Sequence, residues 1–458
     1  MVMKNRVASL VAPVLAVTAL VGGPKAAQAQ ALVPAEELVL SNGFRAILHI
    51  DKRQPVVFVM MQYNVGSRHE DPSRTGLTHV VQRLMFYGSD HMLPYSPWWY
   101  MARAGARTMT SKANYDYSQY YQTVPRENLA AVLWMESDRL GFPALSAPQL
   151  DDERRTVKSE RREHVETTPY GRVDEAVLKA VFPVGHPYHH LMTGEQEHLD
   201  GITLRHAKEF FATHYDPANV TLVLSGDVDL AAAAALVRKY FGTLPTRRKT
   251  PIAPVATGDQ VVPVRTQEVR VQEVETVAKD PALRLGWAVP GQCAANFAAG
   301  QILEHILSRG RSGRLSGHKR ASEDQIDFEV SLRPMTMTSQ FTVHVFATQA
   351  AKLEIGRELV ERELVDIADR GVSDQELAAA KTWRRHVFVS SLQEVDEKAQ
   401  LLLDSQQCFG SANATGKLLE RYEKVRSEDV QAYVKSYLQP SQRVTGYAIP
   451  AKESGAKK

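Results

Sequence analysis

The segment FATHYDPANVT, ending at Thr221, returns as VKSYLQPSQRVT, ending at Thr445. Two further echoes fall at nearly the same spacing, about half the chain. MFYG, ending at Gly88, returns as LSRG at Gly310, and Ser146…Leu150…Glu153 returns as Ser373…Leu377…Ala380. A single long period predicts two homologous α+β halves in tandem, not a short-period solenoid. Within the first half, strand and helix signals alternate. Residues 37–50 hold two apolar runs around Asn42-Gly43, a hairpin signature. Residues 56–65 read as a strand, as does 110–125, which is rich in Tyr and Thr. Helices are predicted over 128–138, 146–165 and 202–214, with a strand over 219–226. The Pro/Thr-rich run 246–257 opens a linker, 246–265, between halves spanning 33–245 and 266–450, and a polar tail covers 451–458.

With 458 residues, of which 44% are hydrophobic, the chain has the material for more than one packed domain. A net charge of +3 is too small to argue for nucleic-acid binding. The first 29 residues have the build of a secretory signal peptide: basic MVMKNR, apolar 7–23, and a small-x-small box at Ala27-Gln28-Ala29. The mature chain is therefore expected outside the cytoplasm, in a periplasm or secreted, with no membrane span left. Only two cysteines occur, Cys293 and Cys408. Spacing does not fix whether they bridge, and without metal-ligand company they read as core or incidental thiols.

The run that carries chemistry lies in GSRHEDPSRTGLTHVVQRLMFYG, residues 66–88. After the turn at Gly76, residues 77–86 have helical patterning, which places His79 and Arg83 one turn apart with Gln82 beside them. An inverted zinc-peptidase motif, H-x-x-E-H, needs two imidazoles at this spacing and a glutamate as general base. The chain supplies H-x-x-Q-R. A glutamine amide cannot take a proton from water, and a guanidinium has no lone pair to give a metal.

The wording VGSRHEDPSRTGLTH…MFYGS resembles the opening of the pitrilysin/insulinase (M16) family of metallopeptidases, in the form of its bacterial and mitochondrial-processing members. The segment ERRTVKSERR, followed by VETTPYG, is similar to that family's second metal segment. The resemblance implies that Glu160 stands at the third ligand position and Glu153 at the carboxylate supporting it. It implies an α+β fold of two homologous tandem α/β-sandwich domains, of the LuxS/MPP-like metallohydrolase type, forming half of a clamshell. It places Thr110 and Ser111 where the family has an Asn-Ala pair holding substrate backbone. It puts Arg320 and Phe328 near a substrate-gripping Arg/Tyr pair, with the tyrosine hydroxyl missing. His186-Pro187-Tyr188-His189-His190 matches a family loop that carries no metal, so those imidazoles are expected to be solvated. In the second half Gln301-Ile302-Leu303-Glu304-His305 lacks the first ligand, and Ala380 replaces Glu153.

Two carboxylates at family positions need a counter-charge once the metal ligands are lost. Arg83 is expected to form a fork with Glu160, and with Glu153, so that an ion pair takes the place of zinc. The functional expectation is an exported, non-catalytic subunit that encloses peptide beside a family partner bearing a complete H-x-x-E-H. The alternatives are a homodimeric peptide-binding pseudoenzyme and an active zinc endopeptidase with atypical ligands. No cofactor is expected in this chain, zinc being expected in the partner.

Overall fold

The computed structural model describes residues 31–94, 96–247, 262–309, 313–321 and 326–451, with the side chains of Ser96 and of 319–321 left aside. The segment expected to be a signal peptide, most of the expected linker and the polar tail beyond Ala451 lie outside the described residues. Among the described residues eleven strands form two sheets. β1 (Glu36–Val39), β2 (Arg45–Ile50), β3 (Val56–Tyr63), β4 (Arg107–Ala113), β5 (Ser118–Pro125) and β6 (Val220–Gly226) make the first, in the order β1-β2-β6-β3-β5-β4. β7 (Val269–Glu275), β8 (Ala282–Pro290), β9 (Asp327–Arg333), β10 (Thr338–Phe346) and β11 (Val444–Pro450) make the second, in the order β7-β11-β8-β10-β9. Each sheet has one parallel pair, β2/β6 and β7/β11, and the order outward from that pair is the same in both. This is an α+β architecture with helices packed on both sheets.

The hairpin at Asn42-Gly43 forms as its sequence predicts, closed by Leu40 N–H to the Phe44 carbonyl at 2.9 Å. The 110–125 segment does not run as one strand. It folds back at Asn114–Tyr117, where Asn114 N–H reaches the Tyr117 carbonyl at 2.9 Å and the Asn114 side chain accepts from Tyr115 N–H at 2.6 Å. Asn and Asp hydrogen-bond their own backbone in this way, and that local turn overrides the β-propensity of the tyrosines around it. The result is the β4/β5 hairpin, with β4 at the sheet's edge.

Strands β3 and β8 are apolar nearly throughout because both of their faces are covered. On β3, Val57, Val59, Met61 and Tyr63 enter the first core, while Phe58 and Met60 face the Val395–Phe409 helix through Ala399, Leu402 and Leu403. On β8, Leu283, Leu285, Trp287 and Val289 enter the second core, while Ala282 and Ala288 face the Gly171–Val181 helix. Each half thus lends a helix to the other's sheet. The approach is close at Gly446, where a Cβ would stand 2.4 Å from Val177 Cγ2. Val173, Val177, Leu178 and Val181 are fully buried there, and at about 1.5–3 kcal/mol for each large aliphatic side chain the exchange binds the halves strongly.

Cys293 and Cys408 form a disulfide with Cα atoms 5.0 Å apart, where the sequence favoured thiols. Spacing could not show it, because the bridge depends on the Val395–Phe409 helix crossing to the first sheet while its Cys408 end stays beside the loop after β8. Among the described residues no helix is long and apolar enough to cross a membrane. Replacing both cysteines, Cys293→Ser with Cys408→Ser, is expected to lower unfolding free energy by about 2–4 kcal/mol. A denaturant titration under non-reducing conditions reads this directly, and an unchanged midpoint contradicts the assigned bridge.

Candidate functional site

The site is built on the Leu77–Leu84 helix. Gly76 turns the chain into it with φ 89°, and a Cβ at that position would meet the Thr193 carbonyl at 2.7 Å. The buried Glu70 carboxylate accepts from Gly76 N–H at 2.8 Å and Thr78 N–H at 2.6 Å, satisfying donors that the first helical turn leaves free. Leu77, Val80, Val81 and Leu84 face the first core. That orientation turns His79 and Arg83 toward the Ala147–Arg162 helix, on which Glu153 and Glu160 lie two turns apart on one face.

Arg83 bridges both carboxylates. Its Nε donates to Glu153 Oε2, and its Nη1 donates to Glu160 Oε1 at 2.8 Å. The other oxygen of Glu160 lies 3.2 Å from His79 Nε2. Burial, assisted by the Arg83 charge, pushes His79 down to about 4, so at neutral pH a neutral imidazole stands against the carboxylate. Burial raises Glu160, with Arg83 opposing the shift and Glu153 adding to it. Gln82 is 3% exposed; its amide donates to Ser111 Oγ on β4, and its carbonyl accepts from Tyr120 OH at 2.9 Å. Beneath it the buried Arg139–Glu136 pair is capped by the Tyr120 ring, 4.1 Å from the guanidinium.

A catalytic zinc takes three protein ligands and leaves a place for water. Here the ligand-type groups on the first-ligand and third-ligand positions, His79 and Glu160, contact each other, and a permanent cation fills the space between the two carboxylates. The donor set does not fit a catalytic dication. Among the described residues no group of three or more His, Cys, Asp or Glu side chains comes together as a metal cage.

The remaining sequence candidates scatter. Thr110 sits half-buried on β4, with its hydroxyl directed at the neighbouring Ser111 carbonyl; it is Ser111 that touches the site. Phe328, on β9, packs half-buried against the second core, away from the site. The Arg320 side chain lies outside the described residues. The histidine loop is not solvated as expected. Tyr188 is buried and donates to Asp116 at 2.6 Å, and His189 Nδ1 donates to the Phe182 carbonyl at 2.6 Å, so the loop serves packing. In the second half, Glu304 pairs with Arg384 at 3.0 Å and Gln301 accepts from Tyr422 OH at 2.5 Å. Between the halves lies a cavity of about 620 Å³. His79 and Glu160 form one part of its wall, and Arg284, Arg333 and His344 another. No motif flagged those last three, since only the folded sheet brings them together.

A two-sheet half-clamshell, with one helix pair tied together through Arg83, Glu153 and Glu160, is the class defined by this geometry. The family model for Insulinase (Peptidase family M16) matches residues 45–193, and that for Peptidase M16 inactive domain matches 201–382. The chain belongs to peptidase family M16. The word inactive in the second description attaches to the segment after Glu160, and says nothing of the His79 helix. Zinc protease PqqE of Helicobacter pylori is 23% identical over 392 residues, covering 82% of this chain and 84% of that one. The crystal structure of a protease from Helicobacter pylori superposes with a TM-score of 0.81 at 20% identity, over 92% of this chain and all of that one. The first half of the periplasmic protease PqqL from Escherichia coli gives 0.74 at 17% identity, over 94% and 95%.

Replacing Arg83→Met leaves Glu153 and Glu160 facing each other without a counter-charge. Given the partial exposure of Glu160, the variant is expected to lose about 2–3 kcal/mol at pH 7. His79, whose folded pKa lies below its unfolded value of 6.5, contributes stability that is present above pH 6.5 and lost as pH falls toward 4. His79→Gln is therefore expected to flatten part of the stability decline between pH 6.5 and 4. Urea midpoints measured at pH 7 and across that range check both.

Proposed function

We propose that this chain is the non-catalytic member of an M16-type peptidase assembly. It is exported, helps to enclose and bind peptide, and leaves hydrolysis to a family partner with a complete H-x-x-E-H. The observation that carries this reading is the Arg83 bridge to Glu153 and Glu160. Activating water at neutral pH needs a metal to lower its pKa and a base to take its proton. In this reading the chain holds no zinc, because a guanidinium stands among the ligand positions and an amide stands where the base would be. Export is supported by the signal-like 1–29 segment and by likeness to a periplasmic relative.

Peptide binding needs neither group. Among the described residues β4 is the last strand of its sheet, hydrogen-bonded to β5 alone, and it runs beside Gln82 and the cavity. An extended peptide adds to such an edge by main-chain hydrogen bonds. That same edge supports the second reading, a homodimer that captures peptide without cutting it.

The test is turnover of a fluorogenic peptide by the mature chain alone and with a family subunit carrying the intact motif. No hydrolysis alone and restored hydrolysis on mixing is the expected result. Chelator-sensitive hydrolysis by the lone chain, abolished by His79→Ala, would overturn the proposal. Gln82→Glu combined with Arg83→His is expected to raise bound zinc to about one per chain by metal analysis, because Glu153 and Glu160 are already in place.

A further inference from the structure

The cavity has a wall that the altered metal site does not use. Along β10, Phe341, Val343 and Val345 enter the second core, so Gln340, Thr342 and His344 face the cavity. His344 stands opposite Arg284 on β8, and Arg333 stands opposite Gln340 at the end of β9. Arg284 is 2% exposed and yet forms part of the cavity wall. Its guanidinium lies 4.8 Å from the Tyr170 ring and 5.0 Å from the Phe346 ring, and its Nε donates to Asp174 at 2.6 Å. Its Nη1, also buried, has no hydrogen-bond partner among the described residues. Buried guanidinium donors are rarely left so, because the loss of hydration goes uncompensated.

The charges around this wall are unequal. Asp116 is taken up by Arg68 at 3.2 Å and by the Tyr188 hydroxyl. Glu175 is taken up by Arg161 and Lys179 at 2.9 and 3.0 Å, and Glu160 by Arg83 and His79. Asp174 is the one acid on Arg284. His344 is pushed down to about 3, by burial first and then by Arg284 and Arg333, so it adds no charge at neutral pH. Among the residues that line the cavity, two guanidiniums therefore share the second-sheet wall with one carboxylate, Asp174, while Glu329 stands on the same sheet face opposite His344. One of the guanidiniums is held rigid by two rings and an ion pair, which suits it to planar, bidentate recognition.

We propose that this wall is a carboxylate subsite, in which Arg284 and Arg333 hold a carboxylate group of an enclosed peptide, with the Thr342 hydroxyl and Gln340 amide as further donors. This rests on the reading of the chain as a peptide-enclosing unit. The carboxylate comes from the peptide's C-terminus or from an acidic side chain, and the test separates the two.

The mature chain is titrated against three fluorescein-labelled decapeptides of one neutral sequence, read by anisotropy. One has a free C-terminus, one a C-terminal amide, and one the amide with a single internal Glu. The acidic forms are expected to bind about 10-fold or more tighter than the neutral amide. A gain confined to the free C-terminus assigns the α-carboxylate; a gain by the Glu peptide admits side chains. Because Arg284 is buried, the exposed Arg333→Gln carries the mutational arm, and it is expected to erase most of the acid–amide difference. Equal binding of all three peptides overturns the subsite and leaves peptide enclosure standing. If no peptide binds, peptide enclosure fails. The subsite is then decided by N-acetylalanine against its amide: a rise in Tm with the acid alone, lost in Arg333→Gln, supports it, and no rise overturns it.

Discussion

A guanidinium keeps its proton at every pH a folded protein survives, and in this chain that permanent charge sits between two carboxylates of one helix. Much around it follows. With Arg83 held by Glu153 and Glu160, the Leu77–Leu84 and Ala147–Arg162 helices stay locked together as they would around a metal. His79 is left beside the far oxygen of Glu160, and its burial keeps it neutral. Gln82 turns its amide to Ser111 and so joins the helix to the edge strand that peptides could extend. In the proposed reading, the frame of a hydrolytic centre is kept by an ion pair in place of a metal.

The frame is stiffened by exchange between the halves. The Gly171–Val181 helix follows the altered site in sequence but packs on the second sheet, and the Val395–Phe409 helix crosses the other way. Lys398 on the crossing helix pairs with Asp51 at the end of β2, and Cys408 ties its other end to Cys293 after β8. Tyr188 accepts from Met337 N–H and donates to Asp116, which in turn accepts from Thr336 N–H, a further stitch across the cavity. The cavity wall is therefore made of parts that cannot drift apart independently. Such rigidity suits the proposed role of holding an enclosed peptide.

The parts of this arrangement readable from sequence were those set by spacing. His79, Gln82 and Arg83 share a helical turn, Glu153 and Glu160 lie seven residues apart, and two lone acids beside a misplaced arginine called for a fork. The echo of Pro217 at Pro440 anticipated two sheets of one strand order. What spacing does not encode was missed. Tyr- and Thr-rich residues 110–125 hid a turn, because a side-chain-to-backbone bond at Asn114 outweighs propensity. Residues 171–181 were not read as an element, and nothing local told that they pack on the sheet of the other half. The Cys293–Cys408 bridge and the Arg284–Arg333 wall depend on that crossing, so no local pattern announced them. Thr110 and Phe328 were aligned to a neighbourhood and missed by a residue or by a strand face.

The central claim is that Arg83 has taken the place of zinc, and calorimetric titration of ZnCl₂ into the metal-stripped wild-type chain tests it most directly. The account predicts no saturable one-to-one binding in the micromolar range. A one-to-one complex that disappears in His79→Ala would contradict it.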